Sequence, residues 1–416
     1  MPRLNTELFI AKRISSRTEG RKNVMIRIAT ITVAIGMAVM IVALAVVGGF
    51  KKEVTGKLVG FSSHVRIVNL YTNNSFETSP VTVDSALMRA ISEIPGFKSI
   101  STYALKGGII KTPGAIQGIA LKGTGPDHDN TFLTGSLLRG NLPQVSDSVR
   151  HKDLLVSESV ARMLKVDVGD RVEMLFISTS RPVRRDRFKI CGLYSTGMEE
   201  LDRTMAFTDI RNVQRLNGWS GEQVSGYEVM TADFDKLTRF SNDVYNTVFD
   251  NSESISEVLK VEDIVNLNPG IFDWLKAHNM NAAVIIIIML LVALLNMISA
   301  MLIILLEKTS MIGILKALGM NNWSVQKIFL LRALRIVLYG MLWGNAIGIG
   351  ICLLQKYTGF VKLDSSGYFL SQVPIEISWE WLVGLNIAVP IVMVLLLSIP
   401  ALVVSSVKPE KTIRFQ

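Results

Sequence analysis

Residues 306–320 read Leu306-Glu307-Lys308-Thr309-Ser310-Met311-Ile312-Gly313-Ile314-Leu315-Lys316-Ala317-Leu318-Gly319-Met320. A stretch without Asp, Glu, Lys or Arg, Ala277 to Leu306, ends where this segment begins, and a second, Ile336 to Gln355, starts shortly after it. Between them Met311, Ile312, Leu315 and Leu318 recur at helical spacing until Gly319 breaks the pattern, which restarts at Ser324. The segment therefore reads as a short amphipathic helix pinned between two long apolar ones. Two further uncharged stretches, Ile28 to Phe50 and Trp381 to Val407, complete a set of four that spans about 100 residues. A helix rises about 1.5 Å per residue, so each can reach the roughly 30 Å of a bilayer core. A wholly soluble enzyme is excluded. The 44 basic and 35 acidic side chains all fall on the remaining positions, at the density of ordinary soluble domains, which excludes a disordered tail protein.

Charge sign orients the spans. Residues 1–27 carry seven basic and two acidic side chains, 307–335 five and one, and 408–416 three and one. The long segment between the first two spans and the loop 356–380 each carry one negative charge in excess, so the formal +9 divides into +11 on one side and −2 on the other. The positive-inside rule puts both termini and 307–335 in the cytoplasm and the large segment outside. Basic residues spread beside spans, rather than gathered on one soluble module, exclude a nucleic-acid binder. The first apolar run is longer than a signal-peptide core and no small-x-small site closes it before Gly48-Gly49-Phe50, so it reads as an uncleaved anchor. Cys191 is expected outside and Cys352 within the third span, which argues against an intramolecular disulfide.

The expected fold is an α-helical integral membrane protein with four transmembrane helices, arranged one plus three around a mixed α/β extracytoplasmic domain. Its parts are a basic amphipathic arm (1–27), spans at 28–50, 277–306, 336–355 and 381–407, the outer domain (51–276), a cytoplasmic segment (307–335), an outer loop (356–380) and a tail (408–416). In the outer domain, 83–94 reads as a helix, 101–111 and 117–122 as strands around Thr112-Pro113-Gly114, 156–164 as a short helix, and 233–248 as another. Strands 171–177 and 188–194 form a hairpin whose tip is 178–187. Pro390 and Pro400 predict a bent fourth span, and Asn296 and Asn345 should face a neighbouring helix or a groove.

Catalytic patterns are missing. There is no G-x-x-x-x-G-K-[ST] loop, no G-x-S-x-G elbow around Ser157-Glu158-Ser159, and His64, His128, His151 and His278 are scattered without metal-ligand spacing, so no metal site is expected. The spans hold no ionisable Asp, Glu, Lys or Arg, which argues against ion-coupled transport. Energy for transport would come from a partner. From its pattern alone, the helix after Glu307 suits a contact with a moving soluble partner and equally an ordinary interfacial loop.

The run Glu307-x-x-x-x-Ile312-Gly313-Ile314-Leu315-Lys316-Ala317-Leu318-Gly319 resembles the signature of FtsX-like permeases, membrane subunits of ABC systems that include the MacB exporters. Gly48-Gly49-Phe50-Lys51-Lys52-Glu53, Gly60-Phe61-Ser62-Ser63-His64-Val65, Asn268-Pro269-Gly270-Ile271-Phe272-Asp273, Leu294-Leu295-Asn296-Met297 and Val373-Pro374-Ile375-Glu376-Ile377 are similar to passages of the lipoprotein-releasing permeases of the LolC and LolE type. That family usually carries an acidic residue where Met311 stands.

The resemblance implies a permease that lifts lipoproteins from the outer leaflet of the inner membrane and passes them to a carrier chaperone. Its partners would be a cytoplasmic ABC ATPase dimer (LolD-like), a second permease copy or paralogue, a periplasmic carrier (LolA-like) and an acylated lipoprotein; this chain would hold no cofactor, ATP and Mg being bound by the ATPase. The coupling contact would comprise Glu307, Lys308, Met311, Ile312, Ile314, Leu315, Lys316, Leu318 and Gly319. A substrate groove would be lined by Met37, Met40, Ile41, Leu44 and Val47 on the first span and Leu291, Leu295, Asn296, Ile298 and Leu302 on the second. The hairpin residues Arg181, Pro182, Arg184, Arg185 and Arg187 occupy the place of a carrier-gripping hook, or form a solvated basic turn. Alternatives are a MacB-like exporter of peptides or drugs and a non-transporting signalling permease.

Overall fold

The computed structural model describes residues 22–72, 76–146, 149–177, 182–252, 257–363, 370 and 372–402, with side chains from residue 26 onward. The arm before residue 22, Arg181 and the tail lie outside the described residues. In chain order, α1 (Lys22–Phe61) is followed by β1 (Val65–Asn69), β2 (Val81–Thr82), α2 (Ser85–Ser92), β3 (Phe97–Lys111), β4 (Ile116–Thr124), α3 (Thr131–Ser136), β5 (Leu137–Gly140), β6 (Asp153–Ser157), α4 (Glu158–Leu164), β7 (Arg171–Phe176) and β8 (Arg184–Tyr194). Then come α5 (Glu199–Asp202), β9 (Met205–Asp209), α6 (Ile210–Asn217), β10 (Gln223–Val224), β11 (Gly226–Thr231), α7 (Leu237–Asp250), β12 (Leu259–Asp263) and α8 (Ile264–Leu267). The last four helices are α9 (Pro269–Glu307), α10 (Thr309–Ala317), α11 (Asn322–Thr358) and α12 (Trp379–Ala401). The chain forms two compact units, one of residues 1–52, 274–361 and 373–416, the other of 53–273 and 362–372.

Four helices among the described residues are long and apolar enough to cross a membrane: Ile26–Phe61, Pro269–Glu307, Asn322–Thr358 and Trp379–Ala401. The first three run well past the uncharged stretches within them, because charge marks where lipid ends and not where the backbone ladder does. Glycines set the contact between α1 and α11. A Cβ on Gly340 would stand 2.7 Å from the Val33 Cβ, one on Gly344 2.5 Å from the Met37 Cβ, and one on Gly348 3.1 Å from the Ala38 Cα. Without hydrophobic driving force in lipid, such close approach is what joins helices. Asn345 and Asn386 exchange two amide hydrogen bonds, of 2.7 and 3.0 Å, between α11 and α12. The buried Gln355 side chain donates to the Val361 and Val373 carbonyls and accepts from the Val361 N–H, pinning the connection after α11. Pro390 and Pro400 lie inside α12. Ile28, Ile31 and Ile35 on α1 and Ile387, Ile391 and Leu395 on α12 form exposed apolar stripes of the kind lipid covers.

In the second unit, hydrogen-bonded neighbours follow the order β12-β1-β11-β3-β4-β9-β6-β8-β5, and β7 pairs with both β3 and β8. The pairings β3-β4-β9-β6-β8-β7-β3 therefore close a six-stranded ring. Alternation explains its wall: Val172, Met174 and Phe176 of β7 and Phe188 and Ile190 of β8 point inward, whereas Arg171 and Lys189 stay outside. The helix expected at 156–164 begins only at Glu158. Ser157 is its N-cap, with an extended backbone and a hydroxyl that accepts from the Val160 N–H, so the preceding residues are free to form β6. Likewise Asp233 caps a single 3₁₀ turn, Phe234–Lys236, before α7 begins. Strands β1, β6, β9, β11 and β12 were not foreseen.

The sheet also buries charge. Lys122 of β4 and Glu228 of β11 are 2% and 4% exposed, and Lys122 Nζ lies 2.6 Å from Glu228 Oε1. Burial raises the Glu228 carboxyl, against the pull of Lys122. His128, 3.9 Å from the other Glu228 oxygen, is pushed down to about 4, first by burial and then by Lys122.

Candidate functional site

The first candidate is α10. Its end is a Schellman motif: Gly319 takes φ +89°, the Met320 N–H donates to the Leu315 carbonyl and the Gly319 N–H to that of Lys316, each at 3.0 Å. Glycine carries this left-handed backbone without the strain a side chain would bring. The expected apolar face divides in two. Ile312 is fully buried in the helical core, with Met311 and Leu315 half-buried against it. Leu318 instead is 79% exposed, and one turn before it Ile314 is 51% exposed. Four residues apart, these two lie on one face, together with Ser310 and Ala317, both exposed. Glu307 is exposed at the end of α9; Lys308 and Lys316 are half-buried.

The second is a cavity of about 430 Å³ in the helical unit. Ile41, Leu44 and Val47 of α1, Ala282, Ala283 and Ile286 of α9, and Leu382 and Leu385 of α12 make it apolar, while Lys51, Asn279, Glu376 and Ser378 supply polar groups. Residues 373–377 cross α1 beside it. The Glu376 N–H donates to the Ala45 carbonyl at 3.0 Å, Lys52 Nζ lies 2.6 Å from Glu376 Oε1, and a Cβ on Gly49 would come within 2.4 Å of the Pro374 carbonyl oxygen. Nearby, Trp274 of α9 meets the Phe50 ring edge-on at 5.6 Å.

The expected groove residues separate here. Ile41, Leu44 and Val47 line the cavity, but Met37 and Met40 are buried in the helix core behind it. On α9, Leu291, Leu295 and Asn296 are exposed on the outer side, and Ile298 and Leu302 are half-buried away from the cavity. None of the five residues expected on α9 lines this cavity. That helix is apolar all round, so no periodicity told its packed side from its lipid side. Its actual lining lies nearer the charged end, at Asn279, Ala282, Ala283 and Ile286.

The third is the basic hairpin. The tip expected at 178–187 is shorter, because β7 and β8 stay paired up to Phe176 and Arg184, with Leu175 opposite Arg185 and Glu173 opposite Arg187. Arg184, Arg185 and Arg187 are consequently strand residues, exposed like Pro182. Arg184 Nη1 donates to the carbonyls of Arg215 (2.8 Å) and Leu216 (3.3 Å) at the C-terminal end of α6, where a cation is favoured. An open basin of about 720 Å³ results, lined by Arg184, Arg185, Asp186, Arg211, Arg215 and Trp219. Arg211 is held by Asp209 and Asp186 by Lys152. The side chains of Arg185 and Arg215 make no hydrogen bond or ion pair among the described residues. Arg187 faces a separate cleft with Lys111, Lys165 and Arg171. No His, Cys, Asp or Glu cluster that could hold a metal occurs among the described residues.

Residues 28–245, just over half of the chain, match the family described as MacB-like periplasmic core domain, and residues 283–409 match the FtsX-like permease C-terminal family. The chain belongs to the FtsX/MacB family of permeases. The permease is 23% identical over 360 residues to the lipoprotein-releasing system transmembrane protein LolC of Neisseria meningitidis serogroup B, covering 83% of each chain. It is 21% identical over 397 residues to the LolE protein of Haemophilus influenzae, covering 90% of this chain and 91% of the other. Among solved structures, the periplasmic region of MacB from Actinobacillus actinomycetemcomitans aligns with a TM-score of 0.33 and 13% identity, over 51% of this chain and 95% of that one.

Proposed function

We propose that this permease extracts lipoproteins from the outer leaflet of the inner membrane and hands them to a periplasmic carrier, driven by a separate cytoplasmic ATPase that binds ATP and Mg. The observation that carries the reading is the cavity on the membrane helices, apolar along α1, α9 and α12 with charged and amide groups among its lining, which suits an acylated molecule with a polar head. Likeness to lipoprotein-releasing permeases over most of both chains supports it. Withdrawing acyl chains from a bilayer costs about 0.8 kcal/mol per CH₂, tens of kcal/mol for a multiply acylated protein, so an apolar lining and an external energy source belong together. Two permeases sit over two ATPases, with the termini and α10 cytoplasmic. The exposed face of Ile314 and Leu318 receives the ATPase stroke, and the basin holding Arg185 and Arg215 receives an acidic surface of the carrier.

The test is purification with the ATPase followed by mass spectrometry of what copurifies. Acylated lipoprotein is expected; peptides or drugs together with an adaptor, or a wall hydrolase with no lipid cargo, would replace this reading by the exporter or signalling one. At the basin, Arg185→Ala with Arg215→Ala should abolish photocrosslinking to the carrier, and unchanged crosslinking removes it as a docking surface.

A further inference from the structure

The first long helix ends on a buried charge. Phe61 is the last residue of α1, and its carbonyl accepts a hydrogen bond of 2.9 Å from Lys122 Nζ. The same ammonium donates to Glu228 Oε1 at 2.6 Å and lies 5.6 Å from the centre of the Tyr103 ring. One cation thus joins the helix terminus, β4 and β11. A positive charge suits the unpaired carbonyls there, yet such ends are normally met by water or a glycine cap, and burying an ion pair for the purpose is expensive.

Aromatic packing holds the same turn. The Phe61 ring lies 5.4 Å from Phe132 and 6.2 Å from both Tyr194 and Phe207, and a Cβ on Gly60 would come within 2.3 Å of the Phe132 ring. Glu228 Oε2 and His128 Nδ1 are buried without hydrogen-bond partners among the described residues. Lys122 is therefore the hydrogen-bonding partner of the Glu228 carboxylate. Apolar side chains could fill the space of this pair, but they could not hold a carbonyl.

We propose that Lys122 is a positioning residue for transport: it clamps the last turn of α1 to β4 and β11, so that a displacement of α1 during the ATP cycle displaces the sheet. The inference rests on the permease reading above. Glu228 aims the ammonium; the aromatic cluster packs the Phe61 side chain, while Lys122 holds its backbone carbonyl.

Lys122→Met by itself strands the Glu228 carboxylate, so the informative variant is Lys122→Met with Glu228→Leu, and Glu228→Gln, which keeps an acceptor for the lysine, is the conservative control. Each is assembled with the ATPase in proteoliposomes and read by thermal unfolding, ATP hydrolysis, hydrogen exchange with and without ATP, and release of acylated protein. The double variant should hydrolyse ATP normally and keep the ATP-dependent exchange change in α1. It should lose that change in β4 and β11 and release cargo about 10-fold more slowly. Glu228→Gln should retain both. If the double variant does not fold, Glu228→Gln carries the test, and loss of the β4 change in that folded control overturns the clamp. A double variant that preserves the exchange change in β4, or an unsubstituted complex that shows none there, likewise overturns it. An unsubstituted complex that shows the change but releases no acylated protein supports the clamp and refutes the lipoprotein reading separately.

Discussion

Replacing Gly344 by alanine adds one methyl group where α1 and α11 touch, and the geometry gives the size of the effect. That carbon would lie 2.5 Å from the Met37 Cβ and 2.7 Å from the Ala34 carbonyl oxygen, both fixed to the backbone of α1. Ordinary carbon contacts stand at about 3.5–4.0 Å, so the helices must separate by roughly 1 Å. Overpacking of this kind costs about 1–3 kcal/mol, and separation also loosens the neighbouring contacts at Gly340 and Gly348. Gly344→Leu should cost more. The controls are Gly350 on the same helix and Gly384 on α12, where an added Cβ meets nothing within 4 Å. Thermal unfolding of the detergent-purified permease should show Gly344→Ala well below the parent and Gly350→Ala level with or slightly above it, alanine being the better helix former. Equal melting of the two variants would refute the packing described for α1 and α11.

On α10, Ile314→Asp and Leu318→Asp should leave the permease folded but cut ATP-driven release in proteoliposomes, whereas Leu315→Asp should lower thermal stability because that side chain packs on the helical core. Asn345→Ala and Asn386→Ala should each cost about 0.6–1 kcal/mol, with the double variant no worse than either alone, as a melting-based double-mutant cycle would show. His64 and His128 are both held at about 4, below their usual 6.5, chiefly by burial. Below 6.5 the unfolded chain takes up protons that the folded chain refuses, so stability should decline as pH falls from about 6.5 towards 4 and level off for these groups below that. Replacing both by Gln should flatten the denaturation profile between pH 6.5 and 5, above the range where most carboxylates titrate.

The membrane helices were legible because lipid excludes charge, and an uncharged run of about 20 residues is what a span requires and a soluble helix avoids. Which side of each helix faces protein was not. Along α9 every position is compatible with lipid, so the packed face depends on where the other helices lie. A finer signal was present on α11: Gly340, Gly344 and Gly348 recur every fourth residue, the spacing of a close helix contact. In the outer unit, alternation revealed β7 and β8, but nothing local in the sequence marks a lysine in β4 and a glutamate in β11 as buried. Only the pairing of strands distant in sequence shows that Lys122 and Glu228 meet inside. Similarly, Gly48-Gly49 and Val373-Pro374 carried the family resemblance, while their adjacency required the fold.

The closed ring of six strands gives the β7–β8 hairpin a modular character. Every ladder pair from Arg171–Lys189 to Phe176–Arg184 is complete below the tip, and β7 is also tied to β3 through Ile109 and Leu175. None of these described rungs involves residues 177–183, so that segment can be exchanged, lengthened or grafted from another protein without breaking one of them. Such a splice site would let an engineer, or natural variation, change the exposed tip while leaving the sheet beneath it intact.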